Sequence, residues 1–188
     1  MERHKQVIKL VSAMSILHEE HDHHGRHVAE LAKPLAIAAG LSEDEVEIIE
    51  AGAHLHDIGK IFIPKTILNA PRKLEPDETT QMRMHTTLGW AVLEQSGFEH
   101  EICEIVRNHH ERYDGNGYPD RLQFQQISIG VRIVSICDVY GALVSPRTYR
   151  DAFTPAFAKS FIQSQKGKAF DARLVDLFFD QAIPLKTP

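Results

Sequence analysis

The stretch "ISIGVRIVSICDVYGALV", residues 127–144, decides the fold class. It is apolar almost throughout and long enough for several helical turns. Its many β-branched residues make a strand the competing reading. One acid, Asp138, interrupts it. A carboxylate in so apolar a segment is costly to bury unless it is paired or bound to a metal, and the plain alternative is a solvent-facing position on an amphipathic helix.

Outward from this stretch the patterning is helical. "VIKLVSAMSIL" (7–17) and "VAELAKPLAIAAG" (28–40) space apolar residues at three and four, with Pro34 expected to kink or interrupt the second and Gly40 to stop it. "SEDE" at 42–45 reads as a capping box that opens a helix running to about Asp57. The segment 62–77 holds three prolines and reads as a loop with one short turn. "ETTQMRMHTTLGWAVLEQ" (78–95) reads as one long helix, and "HEICEIVRNHH" (100–110) as another. Residues 111–126 read as a loop. Thr154–Pro155 makes an N-cap and N1 pair, and Asp171 is placed to cap the last helix. No repeat, low-complexity tract or linker occurs. The expectation is one all-α domain over 1–188, a helical bundle of about eight helices.

The 188 residues are 43% hydrophobic, enough for one sizeable core. No apolar run reaches the length of a membrane span, and the first fifteen residues lack a signal-peptide core. Two cysteines, Cys103 and Cys137, stand in apolar patterns and are expected as buried free thiols in a reducing cytoplasm. The net charge of −5 gives no bulk attraction to polymeric nucleic acid, so local cations must hold any anionic substrate. Twelve histidines are the compositional outlier and point to metal or proton chemistry.

Candidate chemistry starts at "HDIGK", residues 56–60. His56 and Asp57 offer one nitrogen and one carboxylate, and a carboxylate has two oxygens with which to bridge two ions. Lys60 lies one turn on, placed to donate a proton to a leaving alkoxide or to offset phosphate charge. An HD pair alone is weak, since most are ordinary surface residues. "EHDHHGRHV" (20–28) adds Glu20 and His24, four apart. His85, the pair His109 and His110, and Asp138 complete the set. Each has a bland reading when taken alone: a surface helix position for His85, a dipole-favoured helix C-terminus for the His pair.

The ordered set "HxxHV", "HDIGK", "IPxxIL", "HTTLG", "HHERYDGNGYP", "DVYGAL" and "RTYR" closely resembles the HD-GYP family. These are bacterial phosphodiesterases of cyclic di-GMP within the HD superfamily of metal-dependent phosphohydrolases. The similarity runs from about residue 20 to about residue 175. It implies that His24, His56, Asp57, His85, His109, His110 and Asp138 are metal ligands. Glu20 matches the added carboxylate of three-metal members. Asp57 and Lys60 match catalytic positions, with Asp57 bridging the metals and Lys60 contacting phosphate. Arg147 and Arg150 match basic residues that approach substrate phosphates, and Gly117, Tyr118 and Pro119 form the signature loop. Two or three iron or manganese ions are the implied cofactors; a donor set of imidazole and carboxylate without thiolate suits them.

The implied activity is hydrolysis of cyclic di-GMP to linear pGpG and onward to GMP by a metal-activated hydroxide. The alternatives are a phosphodiesterase of another cyclic dinucleotide such as cyclic GMP-AMP, and a non-catalytic module that senses the nucleotide. A diguanylate cyclase (GGDEF) protein is the partner the family suggests, since some relatives act through protein contacts. Several positions depart from the family pattern: His27 for an arginine, Arg72, Arg121 and Phe124 for glycines, Ser128 for a proline, and Gly141 for a polar residue. Losing two loop glycines bears on the backbone path beside the site, because glycine alone tolerates positive φ freely. His4, His18, His21, His23 and His100 are read as surface residues, His54 as a packing one, and Trp90 and Phe98 as core. Tyr113 and Tyr118 are candidates to stack on a guanine.

Overall fold

The computed structural model describes residues 19–146 and 151–182. Among the described residues nine α-helices follow in chain order: α1 Glu19–Ala38, α2 Glu43–Leu55, the single turn α3 Lys65–Leu68, α4 Pro76–Arg83, α5 His85–Gln95, α6 His100–Asn108, α7 Ile129–Val144, α8 Pro155–Ser164 and α9 Ala172–Leu177. Eight of them have six residues or more. Short 3-10 turns occur at Ile58–Phe62 and Phe124–Gln126, and a π turn at Phe178–Ala182. Apart from one isolated bridge between Lys166 and Phe170, no β pairing occurs among the described residues. The protein is all-α, and residues 127–144 resolve as helix.

Helix α7 shows why packing overrides β-branched propensity. It buries Val131, Ile133, Val134, Ile136 and Cys137 completely, and a helix apolar on nearly every side is stable only inside a core. Asp138 is buried with them, 8% exposed, so the solvent-facing alternative fails.

Several local signals act as expected. Ser42 and Glu45 cap α2 reciprocally: the Ser42 N–H donates to the Glu45 carboxylate at 2.8 Å, and the Glu45 N–H donates to the Ser42 hydroxyl at 3.4 Å. Thr154 accepts from the Phe157 N–H and Asp171 from the Arg173 N–H. Helix α1 ends at Ala38, just before the positive-φ Gly40, but Pro34 lies inside it without interrupting it.

The expected long helix over 78–95 is two helices, α4 and α5, that break at Met84. The carbonyls of Met82, Arg83 and Met84 are taken by the side chains of His85, Thr86 and Thr87, each three residues on. Such side-chain bonds compete with the helical ladder and cut it.

One core cluster joins α1, α2, α7, α8 and α9 through Leu35, Ile49, Ile133, Ile162, Leu174 and Phe178. A second joins α2, α5 and α6 through Leu55, Ile58, Leu93, Ile102 and Val106. Each fully buried leucine or isoleucine stabilises by about 1.5–3 kcal/mol. Helix α2 packs on α1, α6 and α7, so its end, where His56 and Asp57 stand, is held by both clusters. Cys103 and Cys137 are buried free thiols. The stretch at 7–17, the side chain of Glu20, and Arg147 and Arg150 lie outside the described residues.

Candidate metal centre

Two of the candidate histidines cap helix C-termini, and a third opens the helix that follows one. His56 caps α2, His109 caps α6, and His85 follows the last turn of α4. Each folds its ring back so that Nδ1 bonds the carbonyl three residues earlier: His56 to Ala53 at 2.7 Å, His85 to Met82 at 2.7 Å, His109 to Val106 at 2.9 Å. The carbonyl accepts, so Nδ1 carries the proton and Nε2 presents a lone pair. The same local device orients all three rings and leaves Nδ1 occupied.

Those lone pairs converge. His24, His56 and Asp138 bring ligand atoms within 4.8 Å of one another, as do His56, Asp57 and His109, and His85, His109 and His110. The three groups overlap and contain all seven expected ligands. His24 Nε2 lies 2.9 Å from Asp138 Oδ1. Asp57 stands between the groups, with Oδ2 3.3 Å from His56 Nε2 and Oδ1 3.4 Å from His85 Nε2. His56 Nε2 and Asp57 Oδ1 are buried without a hydrogen-bond partner. Buried nitrogen and oxygen atoms left open in this way fit a metal ion, and a metal accounts for their burial. The His/Asp cluster can hold metal.

Electrostatics favours neutral rings at His85, His109 and His110, a protonated His56, and charged carboxylates at Asp57 and Asp138. Burial, helped by the neighbouring rings, pushes His109 well down and His110 down to about 4. Burial also lowers His85 against the pull of Asp57. Burial opposes charge on Asp57, but Lys60, His56 and His85 hold its carboxyl well below the usual range. Asp138 is likewise held low against burial, by its bond to His24 and by His56. Burial alone would lower His56; Asp57 and Asp138 instead raise it to about 9. Lys60 donates to Asp57 Oδ2 at 2.5 Å.

Two glycines let the elements close. A Cβ on Gly59 would lie 1.9 Å from the His85 carbonyl oxygen and 2.6 Å from the Gly89 nitrogen. The "HDIGK" turn and the "HTTLG" helix therefore touch backbone to backbone, and this contact sets Asp57 against His85.

The loop after α6 is tied to the same point. Glu111, only 2% exposed, accepts the backbone N–H of Asp120 at 2.6 Å and of Arg121 at 2.8 Å through Oε1. Burial raises its pKa despite these donors. Sequence reasoning assigned Glu111 no role, and it left no signal, because its partners are backbone groups nine and ten residues on. The loop sets the Tyr118 ring against that of His110, centroids 4.9 Å apart. Arg121 and Phe124 occupy the left-handed region, with φ 55° and 48°. The departures His27 and Gly141 face each other: a Cβ at 141 would lie 3.3 Å from the His27 ring. Tyr113 packs edge-on against Phe124, away from the cluster's own ring contacts. Phe98 is core, Trp90 packs against it half-buried, and His23 and His100 are exposed.

Comparison with known proteins identifies the family. A family model described as HD domain matches residues 5–174. The cyclic di-GMP phosphodiesterase response regulator RpfG of Xanthomonas campestris pv. campestris is 45% identical over 154 residues, 80% of this chain and 39% of that protein. A 3′3′-cGAMP-specific phosphodiesterase 2 of Vibrio cholerae is 37% identical over 93% of this chain and 34% of its own length. The chain thus spans less than half the length of these relatives. Among solved structures, a Bdellovibrio bacteriovorus HDG"Y"P protein superposes with TM-score 0.70 at 20% identity, over 84% of this chain and 51% of that one, which shows the shared fold. The resemblance drawn from the ordered motifs holds, and the chain belongs to the HD domain family.

Proposed function

We propose that this chain is a metal-dependent phosphodiesterase that hydrolyses cyclic di-GMP to linear pGpG and GMP. The observation that carries it is the convergence of His24, His56, Asp57, His85, His109, His110 and Asp138 on one buried cluster, with the oxygens of Asp57 divided between its two sides. In this reading His24, His56 and Asp138 hold one ion, and His85, His109 and His110 another, with Asp57 shared. Iron or manganese fits donors that are imidazole and carboxylate without thiolate. Bound metals supply an activated water and positive charge for the attacking and leaving oxygens.

The chain's own residues do the rest. The Nδ1 bonds to Ala53, Met82 and Val106 orient the rings and fix their tautomers. Lys60, one turn from Asp57, offers a proton to the leaving ribose oxygen and a positive charge to phosphate. Arg147 and Arg150 are proposed phosphate contacts, and Glu20 a further ligand should a third ion bind. Tyr118, packed on His110 beside the cluster, is a proposed substrate contact of the signature loop.

The test loads the purified protein with iron(II) without oxygen, or with manganese(II), and follows cyclic di-GMP by chromatography. The expected result is linear product with stoichiometric metal; full occupancy of both metals without product would sink the reading. The 37% identity to a 3′3′-cGAMP-specific relative over 93% of the chain supports cyclic GMP-AMP as the second substrate to assay beside it. A diguanylate cyclase partner and a cytoplasmic location remain part of the proposal. Among the described residues no helix is long and apolar enough to cross a membrane.

A further inference from the structure

Several cations carried by the site's helices and loops are committed. Lys60 bonds Asp57, Arg107 grips Asp120 with two hydrogen bonds at 2.7 and 2.8 Å, and Arg112 grips Asp114 at 3.1 and 2.8 Å. Arg83 differs. It is exposed and has no carboxylate partner among the described residues. Its guanidinium lies over the Tyr118 ring, 4.8 Å from the centroid. Tyr118 in turn packs on His110, one of the cluster histidines, with ring centroids 4.9 Å apart and planes tilted by 32°. Arg83 thus heads a column of guanidinium, phenol and imidazole that runs from solvent to the cluster.

The column is built from both sides. On one side Arg83 ends α4, two residues before His85, and the backbone break at Met84 fixes where it emerges. On the other, Glu111 pins the loop just after Tyr118. A guanidinium on an aromatic face is held in place yet keeps its N–H edge free to bond an anion bidentately. The chain as a whole is acidic, with net charge −5, so an anionic ligand depends on local cations such as this one.

We infer that Arg83 is a substrate-binding residue: it takes the phosphodiester of the cyclic dinucleotide that is not at the metal cluster. The inference rests on the phosphodiesterase reading above. Among the described residues no hydrogen bond or ion pair joins the Arg83 side chain to the cluster, so its loss weakens binding and leaves the hydrolytic centre intact.

The test compares metal-loaded wild type, Arg83→Ala and Arg83→Lys by two readouts. One is calorimetric binding of cyclic di-GMP. The other is turnover of bis(p-nitrophenyl) phosphate, a diester with a single phosphate and no bases. Arg83→Ala is expected to weaken binding about 10- to 100-fold, as loss of a charge-assisted hydrogen-bonded contact does. Arg83→Lys, which keeps the charge and loses the fork, falls between. Turnover of the small diester stays unchanged in both. Equal binding by Arg83→Ala and wild type overturns the inference and leaves the phosphodiesterase reading standing. A parallel loss of small-diester turnover also overturns it, because Arg83 then acts through the metal cluster. A wild type that turns over the small diester but binds no cyclic di-GMP overturns both the inference and the choice of substrate.

Discussion

Asp57 Oδ1 lies 3.4 Å from His85 Nε2, although the two residues belong to different helical elements. The other oxygen of Asp57 faces His56 at 3.3 Å. One side chain thus serves both halves of the cluster, while every histidine serves through one nitrogen. Asp57→Ala is therefore expected to lower metal occupancy in both halves together and to cost more activity than the roughly 10–100-fold of losing a residue behind a ligand. Asp138→Ala should unbalance mainly the His24–His56 side. Metal analysis of both variants checks this. Loss of a single ion in Asp57→Ala would show that the carboxylate is not shared.

The contact that sets this pair is backbone on backbone. Gly59→Ala would push a methyl to 1.9 Å from the His85 carbonyl and 2.6 Å from the Gly89 nitrogen, and neither can swing aside as a side chain could. The expected cost is above about 3 kcal/mol, in the range of severe overpacking. Denaturant unfolding measures it, and metal stoichiometry should fall in whatever protein remains folded. A change under 1 kcal/mol would mean that the turn and α5 separate easily.

The pH dependence of the metal-free protein follows from opposing histidine shifts. Burial lowers His56, but Asp57 and Asp138 outweigh it and bring its pKa to about 9. A pKa raised on folding gives stability that is complete below the unfolded value of 6.5 and lost as pH climbs through about 9. Burial lowers His110 to about 4, so His110 costs stability as pH falls from 6.5 towards 4. Asp57 and Asp138, both held low, also lose their contribution on that acid side. Thermal midpoints should thus peak near neutral pH and fall towards both pH 5 and pH 9. Metal requires neutral rings, so manganese(II) should displace the His56 proton and stabilise more at pH 9 than at pH 7. Equal stabilisation at the two pH values would contradict the shift.

The residues that cluster were legible because they stand in short motifs, and the ordered motifs together are specific. Asp138 stood out as one acid in an apolar segment, but the cost of burial left a solvent-facing position open until the resemblance placed it in the cluster. The break at Met84 was not, because apolar periodicity continues through it while side-chain bonds from His85, Thr86 and Thr87 cut the ladder. Glu111 was not, since backbone donors leave no pattern in side chains. The apposition of His27 and Gly141 was equally hidden, because each departs from the family pattern separately and only the fold makes them neighbours.

The two residues that stand where loop glycines are usual give the last prediction. Arg121 and Phe124 hold φ 55° and 48°, a region that costs an L-residue about 1–2 kcal/mol. Arg121→Gly removes that cost but adds about 0.4–1 kcal/mol of unfolded-chain entropy. Its N–H still donates to Glu111, so the loop keeps its anchor. The net expectation is a gain of about 0.5–1 kcal/mol with unchanged metal content. Phe124→Gly differs, because its ring packs edge-on against Tyr113 at 5.2 Å and losing that contact offsets the backbone relief. Arg121→Val, β-branched and intolerant of positive φ, should destabilise instead. Denaturant unfolding of the three variants orders them as Arg121→Gly, Phe124→Gly, Arg121→Val from most to least stable. An Arg121→Gly protein less stable than wild type by 1 kcal/mol or more would show that the arginine side chain, and not the backbone at 121, sets the loop.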